Sequence, residues 1–439
     1  MKSINFKCYL LVFVFLFSYI FVGCTKSVSP VVSEKSNEKI KLSCAIPAED
    51  TAKIKAFKSF ETNIKKQFSD YDISFKYIKG DTKSYETKIK VLLSSNQKPD
   101  IFFSKENSFF EQLFSANAVQ PIDKYLKELK FWHMVLPFVK NDGYKGKVYA
   151  VPFEEVHYEI MAINSDIFNK NKIKIPTNFE ELKNAVYTLK SKGIIPIAIG
   201  GKDGGIVYNM IGSFAATIDP EVTKNVINGK EKFSSNNFKE AVLKVKELID
   251  MEAFGKETQC RTDLQAAQLF NSGKAAIYCT SSSNLNMCNK KLNGKCKLIY
   301  YPYIGEENVN NYNSLVSDLQ KNSGLFISSI SEHPKEAVNL AIEISKEYNK
   351  YLYEKQNNPA TIYIPSKQGW ENNNKNNKDL QQFMKSLYEN KNITSSLLNG
   401  SINVKASKAI MEASTAFMTG FLSVDTYTKE LDKAMELKF

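Results

Sequence analysis

Short apolar runs alternate with longer amphipathic segments from residue 39 onward, and this alternation constrains the fold more than any other feature. Residues 42–46 (Leu-Ser-Cys-Ala-Ile) are predicted to form a buried strand, and apolar side chains then recur at helical spacing from Ile54 to Phe68. Further strands are predicted at 73–78, 99–103, 148–151, 160–163, 194–199, 275–279 and 325–327. This pattern predicts an α/β architecture with mostly parallel sheets.

Local signals give some of the helices more detail. Tyr85, Ile89 and Leu92 mark a second helix, and residues 337–352 are apolar at every third or fourth position. Thr177 and Glu180 have the spacing of a capping box directly after Pro176, so a helix is predicted to begin at Thr177. A chain of 439 residues suits two domains of ordinary size.

The first 38 residues have the composition of an export signal followed by a tether. Lys2 and Lys7 precede an apolar run at 9–22 that is short for a membrane span. Gly23 and Cys24 then resemble a bacterial lipobox, which predicts a signal peptide at 1–23, a lipid on Cys24 and a polar tether at 24–38. Residues 21 and 22 depart from the usual lipobox, and the alternative is an uncleaved signal anchor.

The net charge of +12 does not indicate a nucleic-acid partner, because the basic residues are spread along the whole chain. Nearly all of them are lysines, and Arg261 is the only arginine. Sites for phosphates and carboxylates favour the bidentate guanidinium group, so this composition disfavours an anionic ligand.

Five cysteines follow the tether. Cys288 and Cys296 could close a disulfide across a turn in an extracytoplasmic compartment, whereas Cys44 and Cys279 lie in strand-like runs and are expected to be buried. With Cys260 the number of these cysteines is odd, so they cannot all be paired with one another. The sequence has no closely spaced cysteine or histidine pair of the kind that binds zinc.

The usual signatures of catalysis are missing from the sequence. The three histidines have no metal-ligand spacing, and there is no Gly-x-Ser-x-Gly motif. Residues 271–276 faintly resemble a phosphate-binding loop, but there is no glycine five residues before Gly273, and Ala275 stands where the loop has Ser or Thr. The glycine-rich segment 200–205 is interpreted as a turn at a sheet edge. We therefore predict no catalytic residue, no cofactor and no metal.

Four motifs occur in a recognisable order. They are Lys-Pro-Asp-Ile-Phe-Phe at 98–103, Ala-Val-Gln-Pro-Ile-Asp-Lys-Tyr at 118–125, the stretch 146–182 and Phe-Asn-Ser-Gly-Lys-Ala-Ala-Ile at 270–277. Together they resemble the family 1 extracellular solute-binding proteins, which include the maltodextrin-binding proteins of ABC importers. The resemblance spans roughly residues 39–435, although Ile163, Phe179 and Ser283 replace aromatic residues that are usual in the family.

The resemblance implies a type II periplasmic-binding-protein-like fold, with two α/β lobes joined by a hinge that the chain crosses three times. The crossings are expected near 153–158, 323–324 and 361–365. Lobe 1 would then contain 39–156 plus 324–357, and lobe 2 would contain 157–323 plus 358–439. The implied function is that of a monomeric, lipid-anchored receptor on the outer face of the cytoplasmic membrane, which delivers a sugar or oligosaccharide to ABC permease subunits.

Sugars combine C–H faces that pack on aromatic rings with hydroxyls that bond to carboxylates, amides and backbone groups. Because pockets of this kind lie between domains, candidate contacts are polar or aromatic residues at strand ends near the hinge. They are Glu49, Ser104, Glu154, His157, Tyr158, Asp203, Tyr208, Ser281, Ser282 and Trp370, with Glu106, Glu155 and Asn209 beside them. Each aromatic candidate could instead be a core residue.

Two other functions stay open at this point. The same fold could bind a peptide, a polyamine or a polyol, and the absence of an aromatic residue at Ser283 favours this alternative because a stacking surface is lost. A surface hydrolase or adhesin is the third hypothesis.

Overall fold

Two mixed β-sheets organise the chain in the computed structural model. The structure describes residues 39–48, 51–105, 107–140, 143–305, 313–320, 322–356, 358, 360–371, 382–383, 385–386, 392–398 and 401–437. Residues Ile40–Phe439 belong to one contact unit, which contains both sheets.

The strands follow the chain in this order: β1 (Ile40–Pro47), β2 (Tyr71–Ile78), β3 (Ile101–Ser104), β4 (Ala150–Val151), β5 (Glu159–Asn164), β6 (Ile195–Ala198), β7 (Ala275–Ser281), β8 (Cys296–Ile299), β9 (Leu315–Ser317), β10 (Gly324–Ile327) and β11 (Ile393–Ser395). The first sheet has the order β2-β1-β3-β10-β4, and the second has the order β6-β7-β5-β8. Strands β9 and β11 form a small parallel pair of their own.

The helices are α1 (Thr51–Gln67), α2 (Thr82–Leu93), α3 (Asn107–Ser115), α4 (Asp123–Glu128), α5 (Ser165–Lys170), α6 (Phe179–Ser191), α7 (Gly204–Ile218), α8 (Val222–Ile227), α9 (Asn236–Asp250), α10 (Asp263–Asn271), α11 (Leu285–Lys291), α12 (Pro334–Lys355), α13 (Pro365–Gln368), α14 (Val404–Met418) and α15 (Val424–Met435). Among the described residues, no helix is long and apolar enough to cross a membrane.

All eight strands predicted from the sequence are present, and the sequence analysis missed β8, β9 and β11. The expectation of mostly parallel sheets was wrong, because four of the eight strand pairings between described residues are antiparallel. The cause lies in β5 and β10. Strand β5 begins where the chain enters the second sheet, and β10 begins where the chain returns to the first sheet. Each of these two strands is antiparallel to both of its neighbours.

Helix α6 begins one residue later than the capping-box pattern indicated. Its N-cap is Asn178, whose Oδ1 accepts a hydrogen bond from the Glu181 amide at 2.9 Å. The Glu181 carboxylate in turn accepts bonds from the Thr177 amide at 2.8 Å and from its hydroxyl at 2.9 Å. The Asn178 side chain thus accepts from an amide of the first turn that has no partner within the helix, while Thr177 anchors the preceding loop.

Two large apolar clusters form the core. The first packs α1 and α12 against the first sheet, with Phe57, Ile101 and Ile344 among its buried members. The second packs α7, α9, α14 and α15 against the second sheet, with Ile163 and Ile197 at its centre. The first cluster also includes Tyr158 and Ile160, so it extends to the beginning of β5 in the second sheet.

Residues 360–370 pack with the first cluster. The Ile362 amide donates to Asn349 Oδ1 at 3.1 Å, and the Ile362 carbonyl accepts from the Leu136 amide at 2.8 Å. Trp370 lies against Tyr353 and Tyr363 in the same cluster. The sequence had assigned this segment to the other lobe.

The cysteines follow the sequence analysis in part. Cys44 and Cys279 are buried, as predicted. Cys288 and Cys296 are free thiols in the structure, as is Cys260, so no disulfide closes the turn between α11 and β8.

Candidate functional site

One edge of each sheet collects the ends of several strands. In the first sheet, Ser104 ends β3 and pairs with Gly324, the first residue of the antiparallel β10. In the second sheet, Ser281 ends β7 and pairs with Glu159, the first residue of the antiparallel β5. The chain passes between these edges from Val151 to Glu159, so both edges lie at the connection between the sheets.

A glycine is needed where β10 begins. Gly324 has φ +140°, and a Cβ placed on it would lie 2.1 Å from the Val151 carbonyl oxygen. Because L-residues avoid this φ and the oxygen belongs to backbone, a side chain at this position would force the sheet edge apart.

The backbone of the connecting segment forms hydrogen bonds with Asp318 on one side and Ser282 on the other. The His157 amide donates to Asp318 Oδ1 at 2.8 Å, and the Asp318 amide donates to the His157 carbonyl at 2.9 Å. One residue further, the Tyr158 amide donates to Ser282 Oγ at 3.0 Å, and the Ser282 amide donates to the Tyr158 carbonyl at 2.8 Å. Two predicted site residues, Tyr158 and Ser282, thus fix the connection.

Glu154 lies between two lysines. Its Oε1 is 2.5 Å from Lys53 Nζ, and its Oε2 is 3.3 Å from Lys105 Nζ. Burial opposes ionisation of this carboxyl, but the two cations outweigh the burial and hold the pKa of Glu154 below its usual value. The Glu154 charge conversely raises the pKa of Lys105. Glu154 is therefore a paired, ionised carboxylate.

Glu159 has the opposite electrostatic character. Its Oε1 accepts a hydrogen bond from Asn209 Nδ2 at 3.0 Å, and Asn209 Oδ1 accepts one from Ser396 Oγ at 2.6 Å. Burial raises the pKa of Glu159 to about 8, with a further contribution from the negative charge of Asp318. At neutral pH this carboxyl carries a proton and can act as a hydrogen-bond donor.

Two buried polar atoms near the edges have no hydrogen-bond partner within the described part of the chain. They are Ser104 Oγ and His157 Nδ1. The other imidazole nitrogen of His157 lies 3.9 Å from Glu155 Oε1. Because buried polar atoms are nearly always paired, these two mark positions where a ligand or an ordered water would complete the bonding.

Asp203 lies beyond the end of β6. It caps α7, since its Oδ1 accepts a hydrogen bond from the Gly205 amide at 2.8 Å. It also lines a cavity of about 670 Å³ that opens at this edge of the second sheet. Residues 200–203 form the turn that the sequence predicted after the edge strand β6, and Gly204 and Gly205 already belong to α7.

Ser281 stays at the end of β7, where its hydroxyl oxygen accepts bonds from the Ser283 amide at 3.3 Å and the Ser283 hydroxyl at 3.2 Å. Together with Glu159 and Ser282, it gives the second edge a continuous set of oxygen-bearing side chains. Such a set can bond to a ligand with several hydroxyl groups.

The three aromatic candidates lie inside the cores. Tyr158 and Tyr208 are each 2% exposed, and Trp370 is 7% exposed. Tyr208 packs between Phe233 and Phe238, which are both core residues of the second cluster. Their predicted role as stacking surfaces for a ligand stays a prediction.

Two predicted residues, Glu49 and the lipid-attachment residue Cys24, lie outside the described residues, as does Glu106. Sequence reasoning missed Lys53, Lys105, Glu159, Asp318 and Ser396. Glu159 could have been found, because it begins a strand directly after the predicted crossing. The others come from distant segments that only the fold brings together.

Comparison with known proteins agrees with this architecture. The model of the bacterial extracellular solute-binding protein family matches residues 51–359. The chain belongs to this family. Its members are extracytoplasmic receptors rather than enzymes, and they work with ABC permeases. No curated protein matches the sequence.

Solved structures share the two-lobed fold. A protein described with xylan utilization by the thermophilic bacterium Caldanaerobius polysaccharolyticus is 23% identical, with a TM-score of 0.68 and coverage of 90% of this chain and 99% of that chain. A family 1 extracellular solute-binding protein from Bifidobacterium longum subsp. infantis is 16% identical, with a TM-score of 0.68 and coverage of 91% and 99%.

The GacH receptor of Streptomyces glaucescens, solved unliganded and in complex with acarbose, is 15% identical, with a TM-score of 0.62 and coverage of 91% and 99%. At these identities the three structures establish the fold of this solute-binding protein, which is the type II periplasmic-binding-protein fold expected from its motifs.

Proposed function

We propose that this solute-binding protein is the lipid-anchored receptor of an ABC importer, that it acts as a monomer, and that its ligand is a sugar or an oligosaccharide. The observation that carries the proposal is the pair of sheet edges beside the connecting segment. They present hydroxyls, a protonated carboxyl at Glu159 and an ionised carboxylate at Glu154.

This chemistry suits a ligand that both donates and accepts hydrogen bonds. A sugar hydroxyl can donate to the Glu154 carboxylate or accept from the Glu159 carboxyl. The solved structures support the same ligand class, since one is described with xylan utilization and another is a complex with acarbose.

The lobes predicted from the sequence are part of the proposal, with one change. Lobe 1 would contain 39–156 and 324–371, because residues 360–370 pack with Leu136 and Asn349 in the first core cluster. Lobe 2 would contain 157–323 and the chain beyond 371. A ligand that contacts both edges would stabilise the closed arrangement by its differential affinity.

The test is a thermal-shift screen followed by calorimetry with the mature protein. Monosaccharides and xylo-, chito- and malto-oligosaccharides are compared with polyamines, amino acids and short peptides. A ligand at 100 times its Kd adds roughly 2.7 kcal/mol of stability, which gives a clear shift. Stabilisation by saccharides alone is the expected result.

Two variants connect such binding to the proposed site. His157→Ala removes the unpartnered buried nitrogen and should weaken binding of the saccharide found in the screen. His133→Ala changes an exposed histidine and should leave the Kd for that saccharide unchanged. Equal Kd values for both variants would place the ligand elsewhere.

One observation favours a second candidate ligand. Glu155 and Asp318 both lie near the connecting segment, and two carboxylates placed in this way could hold a polyamine. Stabilisation by polyamines alone, with an affinity that falls steeply with salt, would replace the sugar proposal.

A further inference from the structure

The cavity beside Asp203 has a feature that the proposed hinge site does not use. It lies between the turn after β6, the first residues of α10 and the last two turns of α14. Its volume of about 670 Å³ falls within the range of small-molecule pockets. Its lining includes Asp203, Thr262, Asp263, Thr415, Thr419 and Phe421.

Phe421 is the aromatic residue of this lining, and 88% of it is exposed. Its position is fixed by the end of α14, where the Gly420 amide donates to the Phe417 carbonyl at 3.0 Å and the Phe421 amide donates to the Ala416 carbonyl at 3.2 Å. With Gly420 at φ +80°, these bonds form a Schellman motif.

The hydrophobic residue at this position of a Schellman motif usually packs back on its own helix. Phe421 instead leaves its ring exposed at the cavity. The Schellman motif fixes the backbone of Phe421, and the ring does not pack against the helix.

The rest of the lining combines apolar side chains with hydrogen-bonding groups. Met411 and Ala416 are apolar, Thr262, Thr415 and Thr419 carry hydroxyls, Asp203, Asp263 and Glu412 carry carboxylates, and Lys202 and Lys408 carry ammonium groups. Gly204 makes room for this arrangement, because a Cβ there would lie 1.8 Å from the Met411 carbonyl oxygen and would push α7 away from α14. An aromatic face next to hydroxyls and carboxylates matches the two surfaces of a pyranose ring.

A chain of contacts links the cavity to the proposed hinge site. Asp263 lines the cavity, and its Oδ1 accepts a hydrogen bond from the Tyr278 hydroxyl at 2.6 Å. Tyr278 lies on β7, where it pairs with Ala198 at the end of β6, and the last residue of β7 pairs with Glu159. The cavity and the hinge site therefore lie along the same edge of the second sheet.

We propose that the cavity beside Phe421 is a second saccharide subsite, in which one sugar ring stacks on Phe421. The inference rests on the proposed function and narrows it. The ligand is an oligosaccharide that extends along the edge from Glu159 to Phe421, rather than a monosaccharide held at the hinge alone.

The experiment compares Phe421→Ala, Phe421→Trp and the control Tyr187→Ala. Tyr187 is also an exposed aromatic residue, 74% exposed, but it lies on α6 away from this cavity. Calorimetry measures Kd for the monosaccharide and for the di- to hexasaccharides of whichever series binds the wild type.

We expect the wild type to bind longer saccharides more tightly than the monosaccharide. Phe421→Ala should weaken the longer ones by roughly tenfold or more, as truncation of an aromatic hot spot does, without changing Kd for the shortest ligand. Phe421→Trp should restore the affinity for the longer ligands, and Tyr187→Ala should match the wild type.

Unchanged affinity of Phe421→Ala for every chain length, or an equal loss for all of them, would overturn the second subsite and leave the proposed function intact. If the wild type binds no saccharide, the proposed function fails and this inference fails with it.

Discussion

His157 and Asp318 bind each other in both directions, through the His157 amide to the Asp318 carboxylate and through the Asp318 amide to the His157 carbonyl. One residue lies on the connection from β4 to β5, and the other lies on the connection from β9 to β10. Two passages between the sheets are thereby held side by side, although 161 positions separate the residues in the chain.

The first prediction concerns this pair. Asp318→Ala leaves the His157 amide without its acceptor and should lower the free energy of unfolding by about 1–3 kcal/mol. Asp318→Asn is the matched control, because its side-chain oxygen can still accept the bond. Denaturant unfolding measures both variants, and hydrogen exchange should show faster exchange of the His157 amide only in Asp318→Ala. Similar exchange in both variants would contradict the assigned role.

The second prediction concerns Glu159, whose pKa rises from 4.5 to about 8 on folding. Below about pH 4.5 both the folded and the unfolded chain hold this proton. Between pH 4.5 and 8 only the unfolded chain releases it, so the free energy of unfolding falls as the pH rises through this window. Glu159→Gln should remove this loss and be more stable than the wild type at pH 8, but not at pH 4.

Denaturant unfolding at pH 4, 6 and 8 measures the effect. Glu430→Gln, at an exposed carboxylate on α15, controls for the loss of a negative charge as such. Parallel stability profiles of Glu159→Gln and the wild type would show that Glu159 does not hold its proton.

The third prediction concerns Glu154. Glu154→Gln removes the charge that pairs with Lys53, whose side chain is only 15% exposed, and with Lys105. An uncompensated, mostly buried cation is costly, so the variant should lose roughly 2–4 kcal/mol of stability. Glu221→Gln, which breaks the exposed pair with Lys224, should cost about 0.5 kcal/mol or less. Thermal and denaturant unfolding measure both variants. An equal loss of stability in Glu154→Gln and Glu221→Gln would refute a structural role for the Glu154 pair.

The fourth prediction compares two glycines. Gly324→Ala places a Cβ 2.1 Å from the Val151 carbonyl oxygen at a φ that alanine avoids, so it should destabilise the protein strongly or prevent its folding. Gly212 lies inside α7 with no atom within 4 Å of an added Cβ. Gly212→Ala should therefore raise the stability by about 0.5–1 kcal/mol. The two variants are compared by their soluble yield and their denaturation midpoints. A well-folded Gly324→Ala protein would contradict the prediction.

The fifth prediction concerns the lipid. If Cys24 is the lipidated residue, Cys24→Ala should abolish metabolic labelling with a fatty acid and leave the precursor uncleaved or released. Cys8→Ala, within the predicted signal peptide, should label normally. Normal labelling and maturation of the Cys24→Ala protein would refute the lipoprotein proposal.

Local patterns predicted the secondary structure well where burial is nearly complete. Residues 275–279 are apolar throughout, residues 42–46 are apolar except for Ser43, and the structure has strands in both places. Strand β8 begins at Cys296, contains Lys297 and is only partly buried, so it has no comparable pattern. Strands β9 and β11 have three residues each, too few to show a period.

The sequence by itself determined the α/β class, the family and the positions where strands end, because each of these depends on residues close together in the chain. Only the tertiary structure decided the strand directions, the burial of Tyr208 and Trp370, and the partners of Glu154 and Glu159. The physical reason is that electrostatic and hydrogen-bonding interactions depend on distance in space. Lys53 meets Glu154 only once α1 has packed beside the first sheet, and Asp318 meets His157 only where the connections between the sheets run side by side.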